Sequence, residues 1–264
     1  MAPTVARTVA VAAAPPAPAI VGIVAVDRMR CERQRLRRGE TLVRAGDKFH
    51  TLYVIRRGVL KTFATSADGL IHVTGFPMTG EMVGLNGIGA GIHRNNVVAL
   101  EDAELFALPF ARVEHWAQQS GGAQALMMRT LAHEILRSQD LMFMLGAMRA
   151  EQRLALFLLD LSRRHHQLGL SRSRFILRMT RQDIGSHLGL QLETVSRSLS
   201  RLHCAGVVQV QGKSIALLDF PALWRASGTS PESQRAALDS IIDGDGCFRR
   251  ATEGRDATHF ERRQ

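Results

Sequence analysis

The sequence predicts an α+β protein with a β-rich first half and a helical second half. Three observations support this fold class. Between about residues 35 and 112, short apolar runs alternate with glycine-containing turns. From residue 122 onward, apolar residues recur at spacings of three and four, which is the period of a helix. Around residues 180–202, two short helical patterns flank a further glycine-containing turn. We expect these patterns to mark three structural units in this order.

The first unit has the pattern of an antiparallel β-roll, or jelly roll, and we assign residues 28–121 to it. Many short strands with regularly spaced glycine turns are typical of this architecture. The expected strands contain the apolar runs 52–55, 59–60, 71–73, 97–100 and 105–108, and the expected turns lie at Gly39, Gly46, Gly58, Gly69, Gly80 and Gly89 to Gly91.

The second unit is one long helix, expected over residues 122–148. Its apolar positions follow the spacing of a coiled-coil seam. A stripe of this length has to be buried, and a second copy of the same helix would cover it in a two-fold symmetric homodimer. Packing of the helix against the chain's own β-roll is the alternative that stays open. The predicted seam residues are Met128, Leu131, Ile135, Ser138, Met142 and Leu145.

The third unit, residues 149–225, contains two short helices joined by a turn. Thr180 and Asp183 have the spacing of a capping box at the start of the first helix. Gly185 lies where the two helices would meet, and Gly189 suits the turn because glycine adopts positive φ at little cost. This pattern is typical of a helix-turn-helix. An ordinary helical hairpin with a solvated charged face is the less specific alternative.

The second helix of this motif carries side chains suited to double-stranded DNA. Arginine donates two hydrogen bonds to guanine, a carboxylate accepts from the amino group of cytosine, and serine bonds several bases. We therefore predict base contacts by Glu193, Ser196 and Arg197. A β-hairpin expected over residues 207–218 forms a wing with Lys213 at its tip. The predicted phosphate contacts are Thr180, Arg181, Thr194, Ser200, Arg201 and Lys213.

The composition favours a polyanionic partner. The 264 residues carry a formal net charge of +10, which suits nucleic acid or a membrane surface. No apolar run is long enough to span a bilayer, so we expect no membrane contact and a cytoplasmic location. Residues 1–27 are rich in Ala, Val and Pro and are interpreted as a disordered tail, with a cleaved export signal as the alternative. Residues 226–264 are polar and are interpreted as a partly disordered extension.

The order of the three units resembles the Crp/Fnr family of bacterial transcription regulators over roughly residues 30 to 225. In the Fnr branch the recognition helix carries Glu-x-x-Ser-Arg, which stands here as Glu193, Ser196 and Arg197. Further stretches similar to that branch are 39–42, 45–47, 52–58, 74–76, 80–84, 139–140, 151–155, 161–164 and 179–185.

The resemblance implies a roll like that of cyclic-nucleotide-binding domains, acting as a sensor, and a homodimer that binds inverted repeats with TTGAT-like half-sites. It implies Arg197 on guanine, Glu193 on amino groups of the complementary strand and Ser196 on thymine. It also implies activation of transcription by contact with RNA polymerase, through the loop Leu85 to Gly91 and exposed parts of the roll.

Two departures from the family bear on cofactors and effectors. Fnr-type oxygen sensors hold an iron–sulfur cluster on four cysteines, whereas this chain has Cys31 near the N-terminal ligands and Phe106 at or near the fourth position. We therefore expect no iron–sulfur cluster and no other cofactor. The cyclic-nucleotide branch uses Gly-Glu and Arg-Ser-Ala motifs. Glu81 and Arg94 occupy similar places as a predicted effector pair, but Asn95-Asn96 replaces Ser-Ala. A cyclic-nucleotide-responsive regulator is thus the alternative function, and a purely structural turn is the alternative role of Glu81.

The remaining hypotheses concern enzymes and signals. Metal chemistry needs converging ligands, and the histidines of the roll region have no such spacing, so we expect neither catalysis nor a metal site. A metal-dependent β-roll enzyme is the remote alternative. The controlling signal has three candidates: a small ligand in the roll, thiol oxidation at Cys31 or Cys204, or protein abundance alone. For Cys204, a small buried packing residue is the simpler interpretation. The scattered histidines are His50, His72, His93 and His115.

Overall fold

The computed structural model describes residues 31–228, so the predicted N-terminal tail and nearly all of the C-terminal extension lie outside the described residues. Within that range the α+β architecture has the three predicted parts, which confirms the fold class. The strands are β1 (Glu32–Leu36), β2 (Thr41–Val43), β3 (Thr51–Arg57), β4 (Leu60–Thr65), β5 (Ile71–Gly75), β6 (Met82–Val83), β7 (Asn96–Ala99), β8 (Ala103–Pro109), β9 (Arg174–Ile176), β10 (Val208–Gln211) and β11 (Ser214–Leu217). The helices are α1 (Phe110–Gln119), α2 (Gly121–Ala147), α3 (Ala150–Gln167), α4 (Arg181–Leu188), α5 (Leu192–Cys204) and α6 (Phe220–Ser227), with a short 3-10 helix at Leu85–Gly87.

The first part is a roll of two antiparallel four-stranded sheets. One sheet has the strand order β1-β8-β3-β6 and the other β2-β7-β4-β5. A shared core includes Ile55, Leu60 and Leu105, which are fully buried. In the turn between β3 and β4, Gly58 has φ 110°, and a Cβ there would lie 2.8 Å from the Cβ of Ala103. Glycine is required at this turn because both the backbone conformation and the available space exclude a side chain.

Five strands and α-helices are not predicted by the sequence patterns: β1, β2, β6, α1 and α6. Strand β1 has the sequence ERQRL and β6 has two residues, so neither shows an apolar alternation. Helix α1 follows β8 directly and buries Val113 in a core of the roll. Helix α6 begins where the Asp219 carboxylate accepts a hydrogen bond from the Ala222 amide at 2.8 Å, and it packs against α3. The predicted roll thus ends in a helix before the long helix begins.

The long helix α2 has 27 residues, which corresponds to about 40 Å. Ser120 caps it by accepting a hydrogen bond from the Ala123 amide at 3.4 Å. Helix α3 follows after Met148 and Arg149. None of the helices within residues 31–228 is long and apolar enough to cross a membrane.

The winged unit consists of α3 to α6 and the three-stranded sheet β10-β11-β9. Two side chains of the roll join its core. Val73 and Phe76 of the roll belong to the same apolar cluster as Leu154 of α3 and Ile184 of α4. The roll and the winged unit therefore meet through packed side chains, which fixes the position of α4 and α5 relative to the roll.

Candidate nucleic-acid interface

The start of α4 is fixed by reciprocal hydrogen bonds. The Thr180 hydroxyl accepts from the Asp183 amide at 3.0 Å, and the Asp183 carboxylate accepts from the Thr180 amide at 3.0 Å. The same hydroxyl donates to the carboxylate at 2.7 Å. This arrangement confirms the predicted capping box. The Thr180 hydroxyl, which the sequence assigns to phosphate, is therefore already bonded within the cap.

The turn between α4 and α5 depends on two glycines. Gly189 ends α4 in the left-handed conformation, with φ 62°. A Cβ at Gly185 would lie 2.6 Å from the carbonyl oxygen of Leu190, so the backbone would have to move. The close approach of the two helices requires glycine at position 185, as the sequence predicts.

Apolar side chains between α4 and α5 determine which face of α5 is free. Leu188 of α4 and Val195 of α5 are fully buried in this small core. Ser198 is also buried, and Leu199 and Leu202 supply the apolar contact that a serine does not make. The opposite face of α5 is left to solvent.

The exposed face of α5 carries the predicted base-contacting residues. Glu193 and Arg197 are exposed and one turn apart, and Ser196 is half-buried beside them. Arg181 of α4 donates a hydrogen bond to the Ser196 hydroxyl at 3.3 Å. Leu192 is 43% exposed one turn before Ser196, and the sequence reasoning omits it. A leucine at this position is a candidate for base recognition, because apolar side chains can contact the methyl group of thymine.

The predicted phosphate contacts lie around this face and already have partners in part. The Ser200 hydroxyl donates to the Ser196 carbonyl at 3.0 Å. Arg201 forms an exposed ion pair with Glu151, at the start of α3, at 2.9 Å. Because an exposed ion pair contributes little stability, Arg201 can exchange Glu151 for a phosphate at small cost. Thr194 is half-buried.

The wing places a lysine at the end of a hairpin. Strands β10 and β11 pair antiparallel up to Gln211 and Ser214, and the two residues between them are Gly212 and Lys213. Gly212 has φ 59°, which a tight hairpin turn needs. Lys213 is exposed there, at the predicted tip.

An exposed apolar stripe runs along α2. Met128, Ile135 and Met142, which are seven residues apart, are 58%, 58% and 64% exposed. Leu136 and Phe143 are exposed beside them, and the sequence reasoning does not place these two in the seam. Five exposed large apolar side chains on one helix form a face that a second helix can cover.

The other predicted seam residues differ in their surroundings. Leu131 is half-buried and lines a cavity of the same chain. Leu145 is half-buried against the turn of the helix-turn-helix, where a Cβ at Gly189 would come within 3.2 Å of it. Ser138 is exposed, and its hydroxyl donates to the Glu134 carbonyl at 2.9 Å. Leu131 and Leu145 thus lie against parts of their own chain, and their place in a dimer seam stays a prediction.

Glu81 belongs to a buried ionic junction between the roll and the helices. Its carboxylate lies 2.7 Å from the Arg164 guanidinium and 3.4 Å from that of Arg137, and it accepts a hydrogen bond from the Met78 amide at 3.0 Å. Burial by itself raises the pKa of this carboxyl, but Arg164 and Arg137 outweigh it and hold the pKa below its ordinary value. Arg94 is exposed, and no hydrogen bond or ion pair among the described side chains joins it to Glu81. No direct contact joins the two residues, and their role as an effector pair stays a prediction.

A cavity of about 940 Å³ lies between the roll, α2, α3 and α6. Its walls include Asn95 of the roll, Arg163 of α3 and Trp224 of α6. Neither Glu81 nor Arg94 lines it.

The absence of an iron–sulfur cluster stays a prediction, and several features of the described residues bear on it. Phe106, at or near the roll position of a cluster ligand, is buried in the core. Cys31 is half-buried, and burial raises the pKa of its thiol. Within residues 31–228, no group of three or more His, Cys, Asp and Glu side chains gathers as metal ligands would. Cys247 lies outside the described residues.

Cys204 is exposed at the last residue of α5. Its interpretation as a buried packing residue is therefore wrong. The apolar contact at this end of the helix is made by Leu202 instead.

These features define a class of protein, in which a β-roll is joined by one long helix to a winged helix-turn-helix unit. Comparison with known families agrees with this class. Residues 33–120 match the cyclic nucleotide-binding domain, and residues 152–226 match the Crp-like helix-turn-helix domain.

Similar proteins identify the family. The transcriptional regulatory protein btr of Bordetella pertussis is 40% identical over 203 residues, which cover 77% of this chain and 84% of that protein. The fumarate and nitrate reduction regulatory protein of Escherichia coli K12 is 37% identical over 203 residues, covering 77% and 81%. The solved structure of FixK2 from Bradyrhizobium japonicum has a TM-score of 0.68 and 26% identity, covering 76% of this chain and 98% of that one. The chain belongs to the Crp/Fnr family and is a DNA-binding transcription regulator.

Proposed function

We propose that this regulator binds DNA as a homodimer at inverted repeats with TTGAT-like half-sites. The observation that carries the proposal is the exposed face at the start of α5, where Glu193, Ser196 and Arg197 stand together. Arg197 donates two hydrogen bonds to the guanine of the half-site, and Glu193 accepts from amino groups of the complementary strand. Ser196 contacts thymine, and the methyl groups of thymine meet Leu192.

The homodimer is supported by the exposed stripe of α2. Met128, Ile135 and Met142 present large apolar side chains to solvent over four turns of helix. A second copy of α2 would bury these side chains in a two-fold symmetric seam. Such a dimer presents two recognition helices to the half-sites of an inverted repeat, about one helical turn apart.

The proposed effect on transcription is activation through contact with RNA polymerase. The roll offers the exposed loop segment Gly89 to Gly91 for such a contact. Transcription in vitro from a promoter with one matched site tests the sign of regulation. More transcript on addition of the protein supports activation, and less transcript contradicts it.

The binding site is tested by gel-shift titration at one fixed salt concentration. The matched duplex carries TTGAT and ATCAA separated by about four base pairs, which sets the half-sites about one helical turn apart. We expect affinity at least about a hundredfold higher than for a scrambled duplex of the same composition. Equal affinity for the two duplexes would contradict the proposed specificity.

The homodimer is tested by sedimentation of the full chain. Replacement Ile135→Glu puts a charge into the stripe and should convert dimer to monomer, because the partner's apolar side chains would have to desolvate it. Ile92→Glu is the matched control, since Ile92 is 44% exposed on the roll, away from α2 in sequence. A monomeric unsubstituted protein, or equal effects of the two changes, would argue against the seam.

A further inference from the structure

Strand β5 is the last strand of its sheet, so one of its two edges is open to another element. The sheet order is β2-β7-β4-β5, and β4 pairs with one edge of β5 from Thr65 and Ile71 to Thr62 and Gly75. The backbone groups of the other edge need partners, because unpaired amide and carbonyl groups are costly when they are removed from water.

Helix α4 supplies these partners through two consecutive side chains. The Ser186 hydroxyl accepts from the Val73 amide at 3.0 Å and donates to the Ile71 carbonyl at 2.9 Å. The ring Nδ1 of His187 lies 3.1 Å from the Val73 carbonyl, so this nitrogen carries the proton and donates it. One helix of the DNA-binding motif thus takes the place of a further strand at the edge of the roll.

Contacts around this edge strengthen the same junction. The Lys61 ammonium of β4 lies 2.8 Å from the carboxylate of Asp183, the residue that caps α4. The His187 ring packs against Phe76 of the roll and Phe157 of α3, with centroids 5.2 Å and 6.0 Å away. The side chains of α4 that make these contacts do not pack against α5. The contacts also involve no residue from the exposed face of α5.

We propose that the open edge of β5 is the seat that holds α4, and that Lys61, Ser186 and His187 are positioning residues for DNA binding. This inference rests on the proposed function. In the docked arrangement Glu193 and Arg197 remain exposed, so docking is compatible with base contact. A dimer that binds two half-sites at once needs both recognition helices in a fixed orientation. If the winged unit were held loosely against the roll, ordering it on DNA would cost free energy and the affinity for DNA would fall.

The test compares two lysines of the roll in the full-length protein. Lys61→Met removes the ion pair to Asp183 and keeps most of the aliphatic side chain. Lys48→Met is the matched control, because Lys48 is an exposed roll lysine in the turn after β2. Each variant is titrated against the inverted-repeat duplex and against a duplex with one half-site. Hydrogen exchange of the Val73 amide with solvent is measured in parallel. This amide is protected by α4 and not by β4 when the winged unit packs on the roll.

We expect Lys61→Met to weaken binding of the inverted repeat by about fivefold, which corresponds to one lost polar contact. Binding of the single half-site should stay unchanged, exchange at Val73 should accelerate, and Lys61→Arg should restore both. Lys48→Met should have none of these effects. Equal losses on the two duplexes, or no difference between the Lys61 and Lys48 variants, would overturn the proposal. Failure of the proposed function would appear instead in the unsubstituted protein, as equal affinity for matched and scrambled duplexes.

Discussion

The two helices of the helix-turn-helix, α4 and α5, share one apolar core but have different environments on their outer faces. Helix α5 leaves Glu193 and Arg197 exposed to solvent. Helix α4 bonds to the edge of β5 through Ser186 and His187 and to Lys61 through Asp183. The difference teaches that one helix anchors the motif to the roll and the other remains available for DNA. Changes at the anchored side should therefore alter stability, and changes at the exposed side should alter binding alone.

The largest expected effect is at the buried ionic junction between the roll and α3, beside the anchored helix α4. Arg164→Ala leaves the buried Glu81 carboxylate without its nearest counter-charge, and Arg164 also donates to the Phe76 carbonyl at 2.6 Å. Breaking a buried ion pair in this way costs about 3–5 kcal/mol in the free energy of unfolding. The measurement is urea unfolding followed by circular dichroism.

The matched control for this change is Arg56→Ala. Arg56 pairs with Glu104 on the roll and has a side chain that is 43% exposed. Its loss should cost less than about 1 kcal/mol, because an exposed pair is solvated in both states. Similar costs for Arg164 and Arg56 would show that the buried junction contributes no special stability.

The second effect is a loss of stability in mild acid. Burial lowers the pKa of His187 to about 4, whereas the unfolded ring has an ordinary value near 6.5. Well above pH 6.5 the ring is neutral in both the folded and the unfolded state, so its titration does not change the free energy of unfolding. As the pH falls from 6.5 towards 4, the unfolded state takes up a proton that the folded state does not. At pH 5 the free energy of unfolding should be lower by roughly 2 kcal/mol through this residue than at pH 7.

Urea unfolding at the two pH values measures this dependence. His187→Phe keeps a ring against Phe76 and Phe157 and removes the titrating group, so the pH dependence should shrink by that amount. Part of the remaining dependence comes from His133, since burial, Arg137 and Arg163 lower its pKa to about 4. Burial also lowers the pKa of His93 and of His165, so these rings contribute in the same direction. An unchanged pH dependence in the His187 variant would contradict a buried neutral imidazole at the junction.

The smallest expected effect on stability belongs to the exposed side. Arg197→Ala should leave the free energy of unfolding within about 0.5 kcal/mol, since the side chain is exposed. It should weaken binding of the matched duplex by about 1–3 kcal/mol and leave the scrambled duplex nearly unaffected. Lys213→Ala should weaken both duplexes alike and reduce the dependence of affinity on salt. Gel-shift titrations at two salt concentrations separate a base contact from a phosphate contact, and a uniform loss from both variants would contradict that division.

The sequence predicts the anchored and exposed sides unequally. The capping box of Thr180 and Asp183 and the close glycine at position 185 are recognisable because they depend on residues a few positions apart. The partners of Ser186 and His187 lie more than a hundred residues away on β5, and no local pattern names them. The outward face of α5 can be recognised in the sequence because its pattern is local. The docked face of α4 cannot, because its partners are distant along the chain.

The same limit applies to the long helix and the roll. A heptad pattern predicts apolar positions on α2. It does not show that Leu145 packs on the turn of the helix-turn-helix in its own chain, or that Phe143 is exposed. Strand β1 escapes prediction because alternating charged residues give it no apolar face. Glu81 is recognised as part of a turn, whereas its two arginine partners come from helices far along the chain.

The bond between Ser186 and β5 also has a consequence for solubility. An open strand edge with free amide and carbonyl groups is a template on which another chain can add a strand, and such edges initiate aggregation. In this protein the side chains of α4 occupy the Val73 amide and the Ile71 carbonyl, so the edge offers a second molecule fewer places to pair. Release of the winged unit from the roll would uncover that edge of β5. The same contact that orients the DNA-binding unit thus protects the regulator from self-association through its sheet.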